Sequence, residues 1–279
     1  MSDTKTTLSY SSMKTVLTCQ QKYHHNKVAN TPKDADYEES DALGLGKAFH
    51  KVLETTLHES YNDGLIVAAM AEFNVDSTDK ALLTAMLDNY VKVHKLSGLK
   101  VVKCELKLTT PVFLGFIDFI AQGENGWWLG DLKTASRHDP SLLPRLHKDP
   151  QINLYSYFAE EIGNSLKMAG KFLGFRYRQS IKSKAGTAIG LAKGTPTYDI
   201  EIPASALNPK ETWSNFLEAH QLISELHNGL APKKNFNACY DYFRPCEYFS
   251  QCHGCLHSEG NPAIKVHTLE SLTDSDLLG

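Results

Sequence analysis

The sequence of 279 residues predicts an α/β domain with a central mixed β-sheet flanked by helices. Two observations support this prediction. Apolar residues recur at helical spacing in the N-terminal part, and after Gly98 the apolar pattern changes to a period of two. Beyond residue 134 helical and strand patterns alternate, and this order suits an α/β or α+β domain.

The N-terminal part is predicted to be helical. A run of possible N-caps (Ser9, Ser11 and Ser12) opens a short helix that carries Cys19 and Tyr23. Residues 26–42 are polar and irregular. Two longer helices are expected at about 44–60 and 78–96, with apolar stripes formed by Phe49, Val52, Leu53 and Leu57 in the first and by Leu82, Leu83, Met86, Tyr90 and Val93 in the second.

The rest of the chain is predicted to build the sheet. Strands are expected at 99–108, 112–122 and 127–134, and the Asn125-Gly126 step between the last two is a strong hairpin signal. A helix at 149–162, strands at 171–180 and near 198–202, and a long helix at 213–228 complete the series.

Composition places the chain among ordinary globular proteins. Hydrophobic residues make up 42% and charged residues 22%, which excludes a mostly disordered chain. No apolar run approaches the roughly 20 residues that span a bilayer, and the first residues lack the apolar stretch of a signal peptide. A cytoplasmic location is therefore expected. The net charge of −3 means that a nucleic-acid partner must be attracted by a local basic patch or by metal ions.

The predicted hairpin carries two acidic residues at matching positions. If the turn centres on 124–125, position i pairs with 249 − i, so Asp118 lies opposite Asp131 and Lys133 shares the face of Asp131. Opposed carboxylates with Cβ atoms roughly 4.5–5.5 Å apart repel each other, and a hard divalent cation such as Mg²⁺ removes that repulsion. The alternative is a solvated edge hairpin, but the flanking apolar and aromatic residues argue against it.

The hairpin residues resemble the core of the PD-(D/E)XK nucleases, and in particular their RecB-like exonuclease branch. Gly-x-x-Asp118, a turn and Asp131-x-Lys133-Thr134 form the central motif. The other matching features, in order along the chain, are Ser9-Tyr10-Ser11 with Cys19 and Tyr23, Gly46-x-x-x-His50, and Gln151-x-x-x-Tyr155. This resemblance implies a restriction-endonuclease-like core and covers roughly residues 9–255.

The resemblance also implies residue roles. His50, Asp118 and Asp131 would be metal ligands together with the backbone carbonyl of Leu132, and Lys133 would be the catalytic lysine. Gln151 and Tyr155 would complete the catalytic set by positioning the substrate or the lysine. Glu105, on the strand before the hairpin, resembles a further acid of the branch and is a secondary candidate, because the direction of its side chain is unknown.

Four of the six cysteines fall between residues 239 and 255. In a reducing compartment such a group indicates a bound metal more than disulfides. Four thiolates can hold zinc or an iron–sulfur cluster. A structural zinc site usually has two close cysteine pairs, whereas only Cys252 and Cys255 form one here, so zinc is the less expected occupant and free thiols are a third alternative.

The RecB-like branch that includes the CRISPR-associated exonucleases and the AddB nuclease domain binds a [4Fe-4S] cluster. The resemblance implies Cys19, Cys246 and Cys252 as ligands. Phe243 stands where the branch has its remaining ligand, so Cys239 is expected to complete the set, with Cys255 as the alternate. Cys104 lies on a predicted strand and is expected to be a core residue.

The substrate is expected to be DNA, as single strands or duplex ends. Arg176, Arg178, Lys182 and Lys184, with Lys193, form a local basic strip that is predicted to contact phosphates. The chain is thus expected to be a Mg²⁺- or Mn²⁺-dependent deoxyribonuclease without sequence preference, an exonuclease rather than an endonuclease.

Two other functions remain open. One is a non-catalytic iron–sulfur DNA-binding subunit of a recombination, replication or repair complex, and the other is a small-molecule metalloenzyme. The expected organisation is an N-terminal helical region at 1–98, a nuclease core at 99–230, a cysteine segment at 231–256 and a flexible tail at 257–279.

Overall fold

The computed structural model describes residues 7–35, 42–182, 195–241 and 244–253. Its centre is a five-stranded sheet in the order β1 (Lys100–Thr109), β2 (Leu114–Gly123), β3 (Gly126–Ala135), β4 (Lys171–Ile181) and β5 (Thr197–Pro203). The first three strands form an antiparallel meander, β4 runs parallel to β3, and β5 is antiparallel to β4. This mixed sheet flanked by helices confirms the predicted α/β fold class.

Helices cover both faces of the sheet. Before the sheet lie α1 (Tyr10–Thr18), α2 (Gln20–Tyr23), α3 (Ala42–Thr56), α4 (Asp63–Glu72) and α5 (Lys80–Leu96). After β3 come α6 (Pro150–Tyr157), α7 (Ala159–Leu166), α8 (Pro209–His227) and α9 (Phe249–His253), and a two-residue hairpin of β6 (Tyr240–Asp241) and β7 (Arg244–Pro245) precedes α9. Among the described residues, no helix has the length and apolar content needed to cross a membrane.

Each face of the sheet has its own hydrophobic core. One core joins α3, α4 and α5 to Leu132 of β3. The other joins α1, α6 and α8 to apolar side chains that include Leu129 of β3 and Phe175 of β4. Because side chains alternate along a strand, Leu132 faces α3–α5, whereas Asp131 and Lys133 are directed towards α6.

Helix α4 lies where the sequence pattern predicted no regular element. It begins after Asn62, whose side chain accepts a hydrogen bond from the Leu65 N–H at 2.9 Å. Residues 65–71 are apolar without interruption, so they show no helical stripe. The helix buries Ile66, Ala69 and Met70 against α3 and α5, whereas its exposed side carries Val67, Ala68 and Ala71 in place of polar residues. The helix predicted at 149–162 is divided at Phe158 into α6 and α7.

The described ends of the chain pack against each other. The segment after α8 runs beside α1 and α2, where the Gln21 N–H donates to the Lys233 carbonyl at 3.1 Å and the Asn235 side chain donates to the Thr18 carbonyl at 2.8 Å. Asp34 accepts the Ser250 N–H at 2.9 Å and so holds α9. These contacts bring Cys19 into the same region as the later cysteines. The predicted tail at 257–279 lies outside the described residues.

Candidate functional site

The centre of the candidate site is the point where β2 and β3 separate. Their ladder runs from Gly123↔Gly126 to Phe119↔Gly130, which confirms the predicted register in which paired positions sum to 249. The backbone pairing of the two strands ends at Phe119. At the next residue it is the side chain of Asp118 that contacts β3, because its Oδ2 accepts a hydrogen bond from the Leu132 N–H at 2.6 Å. Asp118 and Asp131 therefore lie next to each other at the fork of the two strands.

Four of the predicted catalytic residues form one chain of contacts. The Lys133 ammonium lies 2.8 Å from Asp131 Oδ1, and the Gln151 amide donates to the same oxygen at 3.3 Å. That amide also donates to the Tyr155 hydroxyl at 3.2 Å. Gln151 and Tyr155 are one turn apart on α6, so the i,i+4 spacing places both beside β3.

A second group of side chains comes from three other elements. Ligand atoms of His50 on α3, Glu105 on β1 and Asp118 on β2, which we call the metal trio, all lie within 4.8 Å of one another. Glu105 has a φ of 47°, an unusual value for glutamate within a strand. Glu105 was only a secondary candidate because the sequence does not reveal the direction of its side chain. Cys104↔Phe119 and Leu106↔Ile117 are paired, so Glu105 lies across from Asp118.

Helix α3 packs closely on the end of β3. A Cβ atom on Gly46 would lie 2.9 Å from the Thr134 hydroxyl, so only glycine fits there without a shift. The helix therefore brings His50 next to Leu132, and the His50 ring is hydrogen-bonded to the Leu132 backbone. Leu132 thus touches both Asp118 and His50 through its main chain.

Burial perturbs the titration of the whole group. Burial, together with Asp118 and Glu54, raises the pKa of Glu105 to about 7. Burial and Asp118 likewise raise the pKa of Asp131 to about 7, although Lys133 opposes the rise. Burial also raises the pKa of Asp118. These directions show that the carboxylates are crowded in a medium that disfavours their charge, and a cation relieves both effects.

The basic members of the site behave in the complementary way. Burial and the nearby charge of Lys133 lower the pKa of His50 to about 4, so its imidazole is neutral at pH 7. Burial disfavours the charged form of Lys133 and lowers its pKa. The negative charges of Asp131 and Asp118 have the larger effect, so the pKa of Lys133 is raised. Carboxylate oxygens with a neutral imidazole and a backbone carbonyl form a donor set that suits Mg²⁺ or Mn²⁺. The residues present therefore fit a divalent cation.

A cavity of about 680 Å³ opens beside the metal trio. His50, Glu105, Leu132 and Lys133 line one part of it, and Lys182 of the predicted basic strip lines it as well. Lys47 and Lys51, which were not among the predicted site residues, also line the cavity. Lys47 lies three residues before His50 and four before Lys51, and this helical spacing was the available signal.

The two arginines of the predicted basic strip are structural, which corrects the prediction that they contact the substrate. Arg178 is fully buried, with hydrogen bonds to the Tyr90 hydroxyl at 2.9 Å and to Asp199 at 3.1 Å. Arg176 is also buried and pairs with Glu201 at 2.8 Å while lying over the Trp128 ring. A guanidinium enclosed in this way is not available to a phosphate. Lys184 and Lys193 lie outside the described residues.

The cysteines lie in two different surroundings, since Cys104 is on the sheet and Cys19, Cys239, Cys246 and Cys252 are near the described ends of the chain. Cys104 is buried in a small cluster with Val101, Phe119 and Ala121, which confirms it as a core residue. Burial raises the pKa of the Cys252 thiol, and Cys246, Cys19 and Cys239 add to that rise. The Cys246 N–H donates to the Cys239 carbonyl at 2.8 Å. Cys255 lies outside the described residues.

Comparison with known proteins adds a family to this geometry. The model of the PD-(D/E)XK nuclease superfamily matches residues 7–253. No curated protein matches the chain. Among solved structures, the crystal structure of SSO0001 is similar at 13% sequence identity with a TM-score of 0.26, and the match covers 75% of this chain and 86% of that chain.

Proposed function

The chain belongs to the PD-(D/E)XK nuclease superfamily, and we propose that it is a Mg²⁺- or Mn²⁺-dependent deoxyribonuclease of the RecB-like branch. The substrate is DNA, cleaved from an end and without sequence preference. The observation that supports this proposal best is the convergence of the metal trio with the Asp131–Lys133 pair at the fork of β2 and β3.

We assign the roles as follows. His50, Glu105 and Asp118 hold the cation, with Asp131 and the Leu132 carbonyl as further ligands. When bound, the cation supplies Lewis-acid polarisation of a phosphoryl oxygen and lowers the pKa of a coordinated water. Lys133, fixed by Asp131, places a positive charge where charge builds up on the phosphoryl group. Gln151 orients Asp131 and is itself held by Tyr155.

Substitution at the fork tests this assignment. Asp118→Asn and Lys133→Met are expected to lower the rate of digestion of linear DNA by at least about 100-fold in Mn²⁺, the loss typical when one charge-stabilising group is removed. Glu124→Gln, in the exposed turn of the same hairpin, is the matched control and keeps the parental rate. Undiminished digestion by folded Asp118→Asn and Lys133→Met would contradict the nuclease assignment.

Two further comparisons refine the proposal. An exonuclease degrades linear DNA and leaves covalently closed circular DNA intact, so equal loss of both forms would indicate an endonuclease. Binding of DNA without cleavage under any metal condition would favour the non-catalytic subunit instead.

We also propose that Cys19, Cys239, Cys246 and Cys252 hold a [4Fe-4S] cluster. The support is the packing of the later cysteine segment against α1 and α2, which brings Cys19 into the same region as the other three cysteines. Cluster binding would join the two ends of the chain, because Cys19 precedes the nuclease motifs and the others follow them.

Anaerobically purified protein should contain about four iron and four sulfide per chain and absorb in the visible range. Cys239→Ser should lose this iron, whereas Cys104→Ser, at the buried cysteine of the sheet, should keep it. If Cys239→Ser retains iron and Cys255→Ser loses it, the fourth cluster ligand is Cys255 instead of Cys239. A zinc-loaded, iron-free protein would contradict the cluster and leave the nuclease proposal untouched.

A further inference from the structure

The cavity beside the metal trio extends along one face of α3. Glu54, His50, Lys47 and Leu43 follow one another at intervals of three to four residues and all line it. At 1.5 Å per residue, Leu43 lies about 10 Å from His50 along the helix axis. Stacked nucleotides are about 3.4 Å apart along a strand, so this length accommodates a nucleotide next to the one at the metal.

Two apolar side chains line the cavity near the start of α3. They are Leu43, which is 50% exposed, and Phe73, which follows α4. A Cβ atom on Gly44 would lie 2.9 Å from the Phe73 carbonyl oxygen, so α3 rests directly against the end of α4. An aromatic ring and an aliphatic side chain in an otherwise charged cavity suit the flat, apolar face of a base.

Lysines line the cavity as well. Lys47 projects from α3 and Lys182 from the end of β4. Lys51 also lines the cavity, but its ammonium lies 3.3 Å from Glu54, so we assign it no phosphate. These lysines line the same cavity as His50 and Glu105 of the metal trio, in a protein whose net charge of −3 provides no general attraction for a phosphate backbone.

We propose that this cavity is a nucleotide subsite, which holds one unpaired nucleotide of the DNA strand adjacent to the phosphate that is cleaved. The base lies against Phe73 and Leu43, and its phosphate is bound by Lys47. A cavity of about 680 Å³ is in the size range of small-ligand sites. A paired base would bring its partner nucleotide with it, so the substrate is single-stranded at this position.

This inference rests on the proposed function but is tested by binding in EDTA, where no cleavage is needed. The probe is a fluorescein-labelled eight-residue oligodeoxynucleotide, measured by anisotropy at several salt concentrations with the full chain. Phe73→Leu is expected to weaken binding at least about fivefold through lost stacking, with an unchanged salt dependence. Lys47→Gln is expected to lower the slope of log K against log[salt] by about 0.7.

Matched controls separate the subsite from general effects. Tyr157→Leu removes another exposed aromatic residue, and Lys92→Gln removes an exposed lysine of α5, so both should bind as the parent does. An abasic residue is then placed at each position of the oligonucleotide in turn. At one position the abasic residue should weaken binding to the parent protein. It should not weaken binding to Phe73→Leu, because this variant already lacks the ring on which the base would stack.

The outcomes distinguish the two proposals. Equal abasic penalties in the parent and in Phe73→Leu at every position, or equal binding of a blunt duplex, would overturn the subsite even if the protein digests DNA. Phe73-dependent binding by a protein that cleaves no DNA would support the subsite and overturn the nuclease assignment.

Discussion

The buried pair of Arg178 and Asp199 gives the sharpest prediction about stability. The Arg178 guanidinium is enclosed by Tyr90, His94, Ser97 and Asp199 and lies over the Phe119 ring, and none of its surface is exposed. The same Asp199 carboxylate oxygen forms ion pairs with both arginines. It lies 3.1 Å from a guanidinium nitrogen of Arg178 and 3.5 Å from one of Arg176. Arg178 forms its salt bridge with Asp199. Asp199→Asn therefore leaves the buried guanidinium without the negative charge of this carboxylate.

Breaking a buried ion pair at one partner costs about 3–5 kcal/mol, because the other charge stays buried and unpaired. Arg176 keeps Glu201, so we expect the loss to arise mainly at Arg178. With a urea dependence of roughly 2–3 kcal/mol per molar, the unfolding midpoint of Asp199→Asn should fall by about 1–2.5 M. The three tryptophans allow the transition to be followed by fluorescence.

The matched control is Glu201→Gln on the same strand. Glu201 also binds Arg176, but its side chain is 57% exposed, so we expect a loss of at most about 1 kcal/mol. If Asp199→Asn unfolds within about 1 kcal/mol of Glu201→Gln, the buried charge does not depend on its carboxylate and the structural role of Arg178 is refuted.

Three other measurements test the site and its support. A divalent cation present at 100 times its Kd should raise the free energy of unfolding by about 2.7 kcal/mol. Thermal unfolding with and without Mn²⁺ should show this stabilisation in the parent but not in Asp118→Asn. An equal stabilisation of both proteins would contradict binding of the cation by the metal trio. Gly130→Ala should lose about 1–3 kcal/mol, since its Cβ would lie 2.1 Å from the Phe119 ring. Gly64→Ala, with its nearest contact at 3.4 Å, should lose almost nothing in the same denaturation assay. Burial and Arg178 lower the pKa of His94 to about 4, so the folded state disfavours protonated His94. The contribution of His94 to the free energy of unfolding is fully present above about pH 6.5. It falls as the pH is lowered towards about 4, by up to about 1.4 kcal/mol per pH unit. The gap in unfolding free energy between the parent and His94→Gln should therefore narrow as the pH falls from 7 to 5, and a constant gap would argue against this cause.

Regular elements were predictable from the sequence because their patterns are local. The period of two located the strands, and the Asn125-Gly126 turn determined the register of β2 and β3 down to Phe119↔Gly130. Helix α4 was not predictable in this way, because its exposed side carries Val67, Ala68 and Ala71, so no polar face distinguishes it from the buried side.

The site was predictable only in part for a similar reason. Asp118, Asp131 and Lys133 come from one hairpin, so local spacing places them together. Glu105 depends on the alignment of β1 with β2 and on a left-handed backbone, neither of which the sequence pattern reveals. The arginines on β4 were assigned to the substrate because charge indicates exposure on average, whereas here two acids of β5 bury that charge.

The fork of β2 and β3 explains why the carboxylates remain close together without regular pairing. A continued ladder would hold Asp118 and Asp131 directly opposite each other, with Cβ atoms roughly 4.5–5.5 Å apart and their charges repelling. Instead Asp118 accepts the Leu132 N–H and joins His50 and Glu105, while Asp131 binds Lys133 and Gln151. An asparagine at position 118 retains an oxygen that accepts the Leu132 N–H. Asp118→Asn therefore removes charge while keeping the hydrogen bond that shapes the fork, and a loss of cleavage in this variant reports on the charge rather than on the fold.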